Sequence, residues 1–204
     1  SSPEFLSRTT PTRTKVESSS RLFAVSSGQS RLPRPGSAGR GGGGAGGATA
    51  ARYIAKDSKG AVGVTLVEAS KRYYTCFYSN LYLGGFRNYG SIGHNYYGLA
   101  VNNGVNVVHE WATSVDNNAK TLNLGSGGSI PYDKLVLSPG ISLKYDSVPN
   151  YSPEVQSRMP HAWTSGTQVQ LLRNQVMNMK KGGTFVMVPP PNPYRCPPGP
   201  YERV

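Results

Sequence analysis

A thiol and a carboxylate share one stiff loop near the end of this 204-residue sequence, in Cys196-Pro-Pro-Gly-Pro-Tyr-Glu-Arg203. Proline fixes φ and removes backbone donors, so Pro197, Pro198 and Pro200 exclude a helix interior or a central strand, while Gly199 lets the chain turn between them. A thiol is a nucleophile once deprotonated and a carboxylate is a proton acceptor. A rigid loop that carries Cys196 and Glu202 is built to position something. The same residues also read as a proline-rich linker with an incidental thiol.

A second constellation lies upstream. Gly42-x-Gly44-x-x-Gly47 opens a stretch, residues 45–56, whose small and apolar residues suit a helix packed closely on a sheet. Val62-Gly-Val-Thr-Leu-Val67 follows as a short β-branched strand and ends at Glu68. In a dinucleotide-binding βαβ unit, glycines permit the tight turn and close approach to a pyrophosphate, and the helix N-terminus supplies donors and partial positive charge. An acid roughly 20 positions on then takes the ribose hydroxyls, and Glu68 has that spacing. A run of glycines alone is also a flexible linker. The helix, strand and acid following in order favour the nucleotide reading.

The rest of the chain supplies elements to hold these groups. Residues 98–103 read as a helical turn, 105–108, 121–124 and 130–137 as strands, and 164–181 as a helix ending at Gly182-Gly183. Residues 184–188 read as a buried strand feeding the Cys196 loop. This alternation predicts an α/β fold with a parallel sheet. A net charge of +12 favours anionic surfaces. Much of the excess lies in the first 40 residues, and no nucleic-acid motif stands beside it, so nucleic acid is not expected as a partner. No apolar run is long enough to span a bilayer. His94, His109 and His161 show no metal-ligand spacing with a cysteine, and no haem-attachment motif is present, so no metal is expected on this chain.

From about Gly42 to Val204 the sequence resembles the flavoprotein subunit of flavocytochrome c sulfide dehydrogenase, a relative of the sulfide:quinone oxidoreductases and the glutathione-reductase-like flavoenzymes. The resemblance rests on five ordered stretches: Gly42 to Ile54, Tyr73-Tyr-Thr-Cys-Phe-Tyr-Ser-Asn80 with Gly84-Gly85, Ser138-Pro-Gly-Ile141, Pro160-His-Ala-Trp163, and Arg195 to Arg203. The last is the most specific. It implies a Rossmann-like FAD-binding domain with a parallel sheet, helices and an antiparallel β-meander, followed by the start of a second nucleotide-type domain. Boundaries are expected at 1–40 for a basic tail, 41–150 for the FAD domain and 151–204 for the second unit.

The resemblance also implies roles. FAD would be held by Gly42, Gly44, Gly47 and Glu68, with Pro139 and Gly140 in the strand that returns below the cofactor. Cys76 matches the cysteine that forms a thioether to flavin in members with covalent FAD. Cys196 matches one half of the redox cysteine pair facing the flavin, and Glu202 a carboxylate that moves protons. Sulfide attack on a disulfide gives a persulfide and a thiolate, so a thiol and a proton acceptor belong close together. A c-type cytochrome subunit would take the electrons, and the family location is the periplasm. Alternatives remain open: a quinone or pyridine-nucleotide acceptor, or an inactive chain that keeps the motifs. Taken without the family, Cys76 reads as buried core among Tyr73, Tyr74, Phe77 and Tyr78, and Glu202 as a helix-opening acid, while the wide separation of the two cysteines gives no support to a disulfide between them.

Two departures stand out. A glycine fingerprint should follow a buried apolar strand, yet residues 30–40 contain two prolines and almost no branched apolar residues. The first strand is therefore expected to be missing. Residues 1–40, rich in Ser, Arg and Pro, are expected to be disordered and have the texture of a shifted reading frame. The sequence also holds only two cysteines, so the second redox cysteine is not in it and the subunit is expected to be truncated.

Overall fold

The computed structural model describes residues 21–27, 44–141 and 143–203. Its centre is a four-stranded sheet, ordered β5, β2, β1, β9. The strands are β1 (Arg21–Ser27), β2 (Val62–Glu68), β5 (Asn106–Val108) and β9 (Lys134–Leu137). All three pairings are parallel. A parallel sheet needs cover, which is why β2 is mostly apolar and its last five residues, Thr65 and Glu68 among them, are all buried. Helix α1 (Ala45–Asp57) lies on it, with Gly47, Ala51 and Ala55 buried. Those small residues allow close approach, and Ala51, Ala55, Val64, Leu66, Tyr96 and Val105 form the core.

The strand expected to be missing is present. β1 runs between β2 and β9, with Arg21 opposite Val62 through Ser27 opposite Glu68, and Phe23 opposite Lys134 through Ser26 opposite Leu137. Without it, the facing edges of β2 and β9 would carry unpaired backbone groups. The apolar run Leu22-Phe-Ala-Val25 fills this position, well upstream of the glycines where an adjacent strand was sought. The rest of the stretch 1–40 expected to be a disordered tail lies outside the described residues, as does Gly42.

Further elements include several not read from the sequence, and the single strand expected at 130–137 is two, Ser129–Pro131 and Lys134–Leu137, which join different sheets because the chain turns between them. Strands β3 (Tyr73–Tyr74) and β4 (Gly93–His94) pair antiparallel around helix α2 (Ser79–Leu83). Helix α3 (Tyr97–Asn103) leads into β5. An antiparallel meander of β6 (Ala112–Asp116), β7 (Thr121–Leu124) and β8 (Ser129–Pro131) precedes β9. Helix α4 (Thr167–Met177) occupies the middle of the predicted helical stretch.

Residues 184–188 are not the buried strand expected from their sequence. They lie outside every sheet, with Phe185 45%, Val186 74% and Val188 63% exposed. A β-branched run becomes a buried strand only where neighbours satisfy its backbone and cover its faces, and among the described residues none does so.

Candidate functional site

A cleft of about 1920 Å³ is lined by residues that follow the C-terminal ends of β1, β2 and β9, the place where open parallel sheets take their ligands. It brings together Gly44, Glu68, Cys76, Gly140, Cys196 and Glu202. Pro139 is not among the lining residues, although its neighbours Ser138 and Gly140 are. Gly47 is buried in α1, on the side that packs against the sheet.

Each group is held by local structure. Gly44 caps α1, and a Cβ there would lie 2.2 Å from Cε2 of Tyr73. Gly46, which the fingerprint spacing passes over, has the same constraint, since its Cβ would lie 2.7 Å from the Ser138 hydroxyl at the end of β9. The first turn of α1 carries no acidic residue, which leaves its positive end free for an anion. Glu68 is 1% exposed at the tip of β2. Its Oε1 accepts the Ser70 N–H at 2.8 Å, which orients the carboxylate. Burial, and then the charge at Cys76, raise the Tyr73 hydroxyl. Burial, then Glu68, raise that of Tyr96. Both phenols therefore stay protonated at the cleft wall.

Cys76 and Cys196 are free and exposed thiols, not a disulfide with each other. Cys76 sits in the turn before α2, where its carbonyl accepts the Ser79 N–H at 3.1 Å. Ser165 donates to the Thr75 carbonyl at 2.6 Å, tying the turn to the segment before α4. Cys196 has φ +59°, a left-handed conformation uncommon for a residue with a side chain. The Gly199 N–H closes that turn on the Cys196 carbonyl at 2.8 Å. Gly199 is required for space, because a Cβ there would lie 3.0 Å from the Cys196 carbonyl oxygen and 3.3 Å from its Sγ. Glu202 lies in a short 3-10 turn, Tyr201–Arg203, and its N–H donates to the Pro198 carbonyl at 3.0 Å.

Arg203 joins the two cysteine loops. Its Nη2 donates to the Ser79 hydroxyl at 3.3 Å. Its Nη1 and the Oδ1 of Asn80 are buried with no hydrogen-bond partner, and both residues line the cleft. Neither was singled out by sequence. A basic residue next to Glu202 was the only signal for the first.

His161 anchors the far wall. Its Nδ1 accepts the Trp163 N–H at 3.1 Å, so Nε2 carries the proton and donates to Gln156 Oε1 at 3.2 Å. Burial lowers its pKa to about 4. A second proton, on Nδ1, would face the Trp163 N–H. Above about pH 6.5, the ordinary histidine value, both folded and unfolded states are neutral and this contribution to stability is fully present. As the pH falls towards 4, the unfolded chain takes a proton that the folded chain refuses, and stability is lost. Melting temperature against pH is expected to show this step, and His161→Gln to flatten it; equal slopes in both proteins would contradict the assignment.

The site fits FAD by its donor set. It offers an acid-free helix start at Gly44, a buried carboxylate lining the same cleft, a cleft larger than an ordinary small-ligand pocket, and two buried polar atoms with unmet hydrogen bonds. Comparison with known proteins points the same way. Residues 42–177 match the family described as pyridine nucleotide-disulphide oxidoreductase. Residues 169–204 match that described as sulfide dehydrogenase (flavocytochrome c) flavoprotein chain, central. The sulfide:quinone oxidoreductase of the hyperthermophilic bacterium Aquifex aeolicus superposes with a TM-score of 0.54 at 19% identity, over 78% of this chain and 33% of that one. A NAD-dependent persulfide reductase from A. fulgidus gives 0.52 at 18%, over 76% and 27%. A ferredoxin reductase from Rhodopseudomonas palustris gives 0.54 at 15%, over 78% and 35%. At these identities the likeness shows the fold. The chain spans about a third of the length of these structures.

Proposed function

Because the chain belongs to the pyridine nucleotide-disulphide oxidoreductases, a flavin-dependent family, and its residues 169–204 match the central part of the sulfide dehydrogenase flavoprotein family, we propose that it forms the FAD domain and the Cys196 half of a sulfide-oxidising centre. The observation that carries this reading is the single cleft that gathers Gly44 and Glu68 with Cys76, Cys196 and Glu202. Gly44 and the start of α1 would hold the pyrophosphate, Glu68 the ribose hydroxyls, and Cys76 a covalent link to the ring. Bound there, FAD would supply the capacity to accept an electron pair and release electrons singly.

The chain's own step is at sulfur. When Cys196 is in a disulfide, hydrosulfide attacks its sulfur, the S–S bond breaks, the other sulfur leaves as a thiolate, and Cys196 becomes a persulfide. Glu202 accepts the persulfide proton. The second sulfur of that disulfide would come from a thiol other than Cys76. Electrons would leave to a c-type cytochrome subunit, in the periplasm, as the flavocytochrome resemblance implies.

The half-reaction is testable on this chain with Cys76→Ser and Cys196 oxidised to its thionitrobenzoate disulfide. Sulfide is expected to release thionitrobenzoate and leave one extra sulfur on the Cys196 peptide by mass spectrometry, faster than in the urea-unfolded chain. Equal rates in the two states would remove Cys196 from the sulfide chemistry.

A further inference from the structure

Hydrosulfide and the ends of sulfur chains are anions, and Glu202 makes the thiol end of the cleft a poor place for one unless a positive group offsets it. Arg195 and Arg203 flank the Cys196 loop and both line the cleft, and Arg203 is the one held in place with a buried donor left unpaired. Its guanidinium is anchored at one end on Ser79 and leaves Nη1, a donor without a partner, in the wall that also holds Cys76, Cys196 and Glu202. Asn80, the residue after Ser79, carries the other buried atom without a partner, an acceptor.

We propose that Arg203 is an anion-binding residue at the thiol end of this cleft, taking an anionic sulfur species on its unpartnered Nη1 and presenting it to Cys196. The idea rests on the reading of the cleft as a sulfide site and adds the group that selects the charge of its substrate. An arginine suits this role, since it stays charged and offers fixed donors. Burial lowers its pKa, while Cys76, Cys196 and Glu202 raise it, so all three act on its charge. Glu202 is exposed and Arg203 is half-buried, so water screens the carboxylate more than the guanidinium. The apolar residues at 185–188 are also exposed, but they offer no group that would recognise an anion.

The test uses the apo chain and two alkylating probes of nearly equal size, anionic iodoacetate and neutral iodoacetamide, with Cys196 read separately from Cys76 by peptide mass spectrometry. The ratio of iodoacetate to iodoacetamide rates at Cys196 is expected to be about tenfold higher in the folded chain than in the same chain in urea. Arg203→Gln is expected to remove that excess, leaving the iodoacetamide rate nearly unchanged, and Arg203→Lys to restore most of it. A folded Arg203→Gln protein with an unaltered ratio would overturn the proposal. Where Arg203→Gln does not fold, the wild-type comparison decides, and a ratio no higher than in urea overturns it equally. No sulfide or cofactor is present, so failure here is distinct from failure of the persulfide test.

Discussion

Cys76→Ser is expected to move all flavin from the acid-precipitated pellet into the supernatant, while the native protein stays yellow. A thioether survives acid denaturation, whereas groups held only by the glycine turn and Glu68 are released when the fold is lost. The position suits attachment. Cys76 is a free, exposed thiol on the cleft wall, in a turn fixed by the Ser79 N–H and by the Ser165 bond to Thr75. Serine keeps that turn and removes only the sulfur, so the effect is confined to attachment. A pellet from Cys76→Ser that is as yellow as wild type would place the link elsewhere, and colourless wild-type pellets would mean that the flavin is held without it.

The second large effect is at Gly44. Gly44→Val puts a branched side chain where even a Cβ would lie 2.2 Å from Cε2 and 2.5 Å from Cζ of the Tyr73 ring. Either the ring moves into the cleft or the start of α1 shifts away from the sheet. Overpacking of this kind costs about 1–3 kcal/mol in the fold. FAD binding is expected to suffer more, because both the backbone approach to the pyrophosphate and the cleft space are lost, with affinity falling by about two orders of magnitude or more. Titration of flavin fluorescence measures this. Gly60→Ala, a substitution at a turn glycine with open space around its Cβ position, is the comparison, and it should leave FAD affinity near wild type despite backbone strain from its φ of +86°. Equal affinities for Gly44→Val and wild type would separate the glycine turn from cofactor binding.

Much of the fold was legible because its signals are local. The small residues of α1, the β-branched run of β2 and the acid at Glu68 stand in the order and spacing of a nucleotide-binding unit, and the structure keeps them adjacent. The α3 to β5 step, β7 and α4 were readable from periodicity and turn residues, but β6 was not read, and residues 130–137, read as one strand, divide between β8 of the meander and β9 of the parallel sheet. β1 was missed because its apolar core is only Leu22 to Val25 and it is separated from Gly42 by residues 28–41, so no local pattern joins the two. Its place is fixed by parallel pairing on both sides, a long-range fact. Residues 184–188 failed in the opposite sense, with strong strand propensity and no neighbouring strand to realise it.

The site shows the same division. The identities of Cys76, Cys196, Glu68 and Glu202 carried chemistry in the sequence, but their meeting in one cleft did not. Gly46 is constrained by Ser138, 92 positions away in sequence, and Arg203 by Ser79, at a separation of 124 residues. Such contacts leave no periodic trace. Cys196 could be read as sitting in a stiff loop, yet the loop places the left-handed residue at the cysteine itself, and it leaves Gly199 to provide room for the sulfur.

The central claim is that this chain's cleft is an FAD site with Cys196 at its edge. The measurement that tests it most directly is titration of the purified chain with FAD while Cys196 alkylation by iodoacetamide is followed by peptide mass spectrometry. Saturable binding of one FAD per chain, with Cys196 protected in proportion to the site filled, is the predicted result. No binding, or binding that leaves the Cys196 rate unchanged, would contradict it.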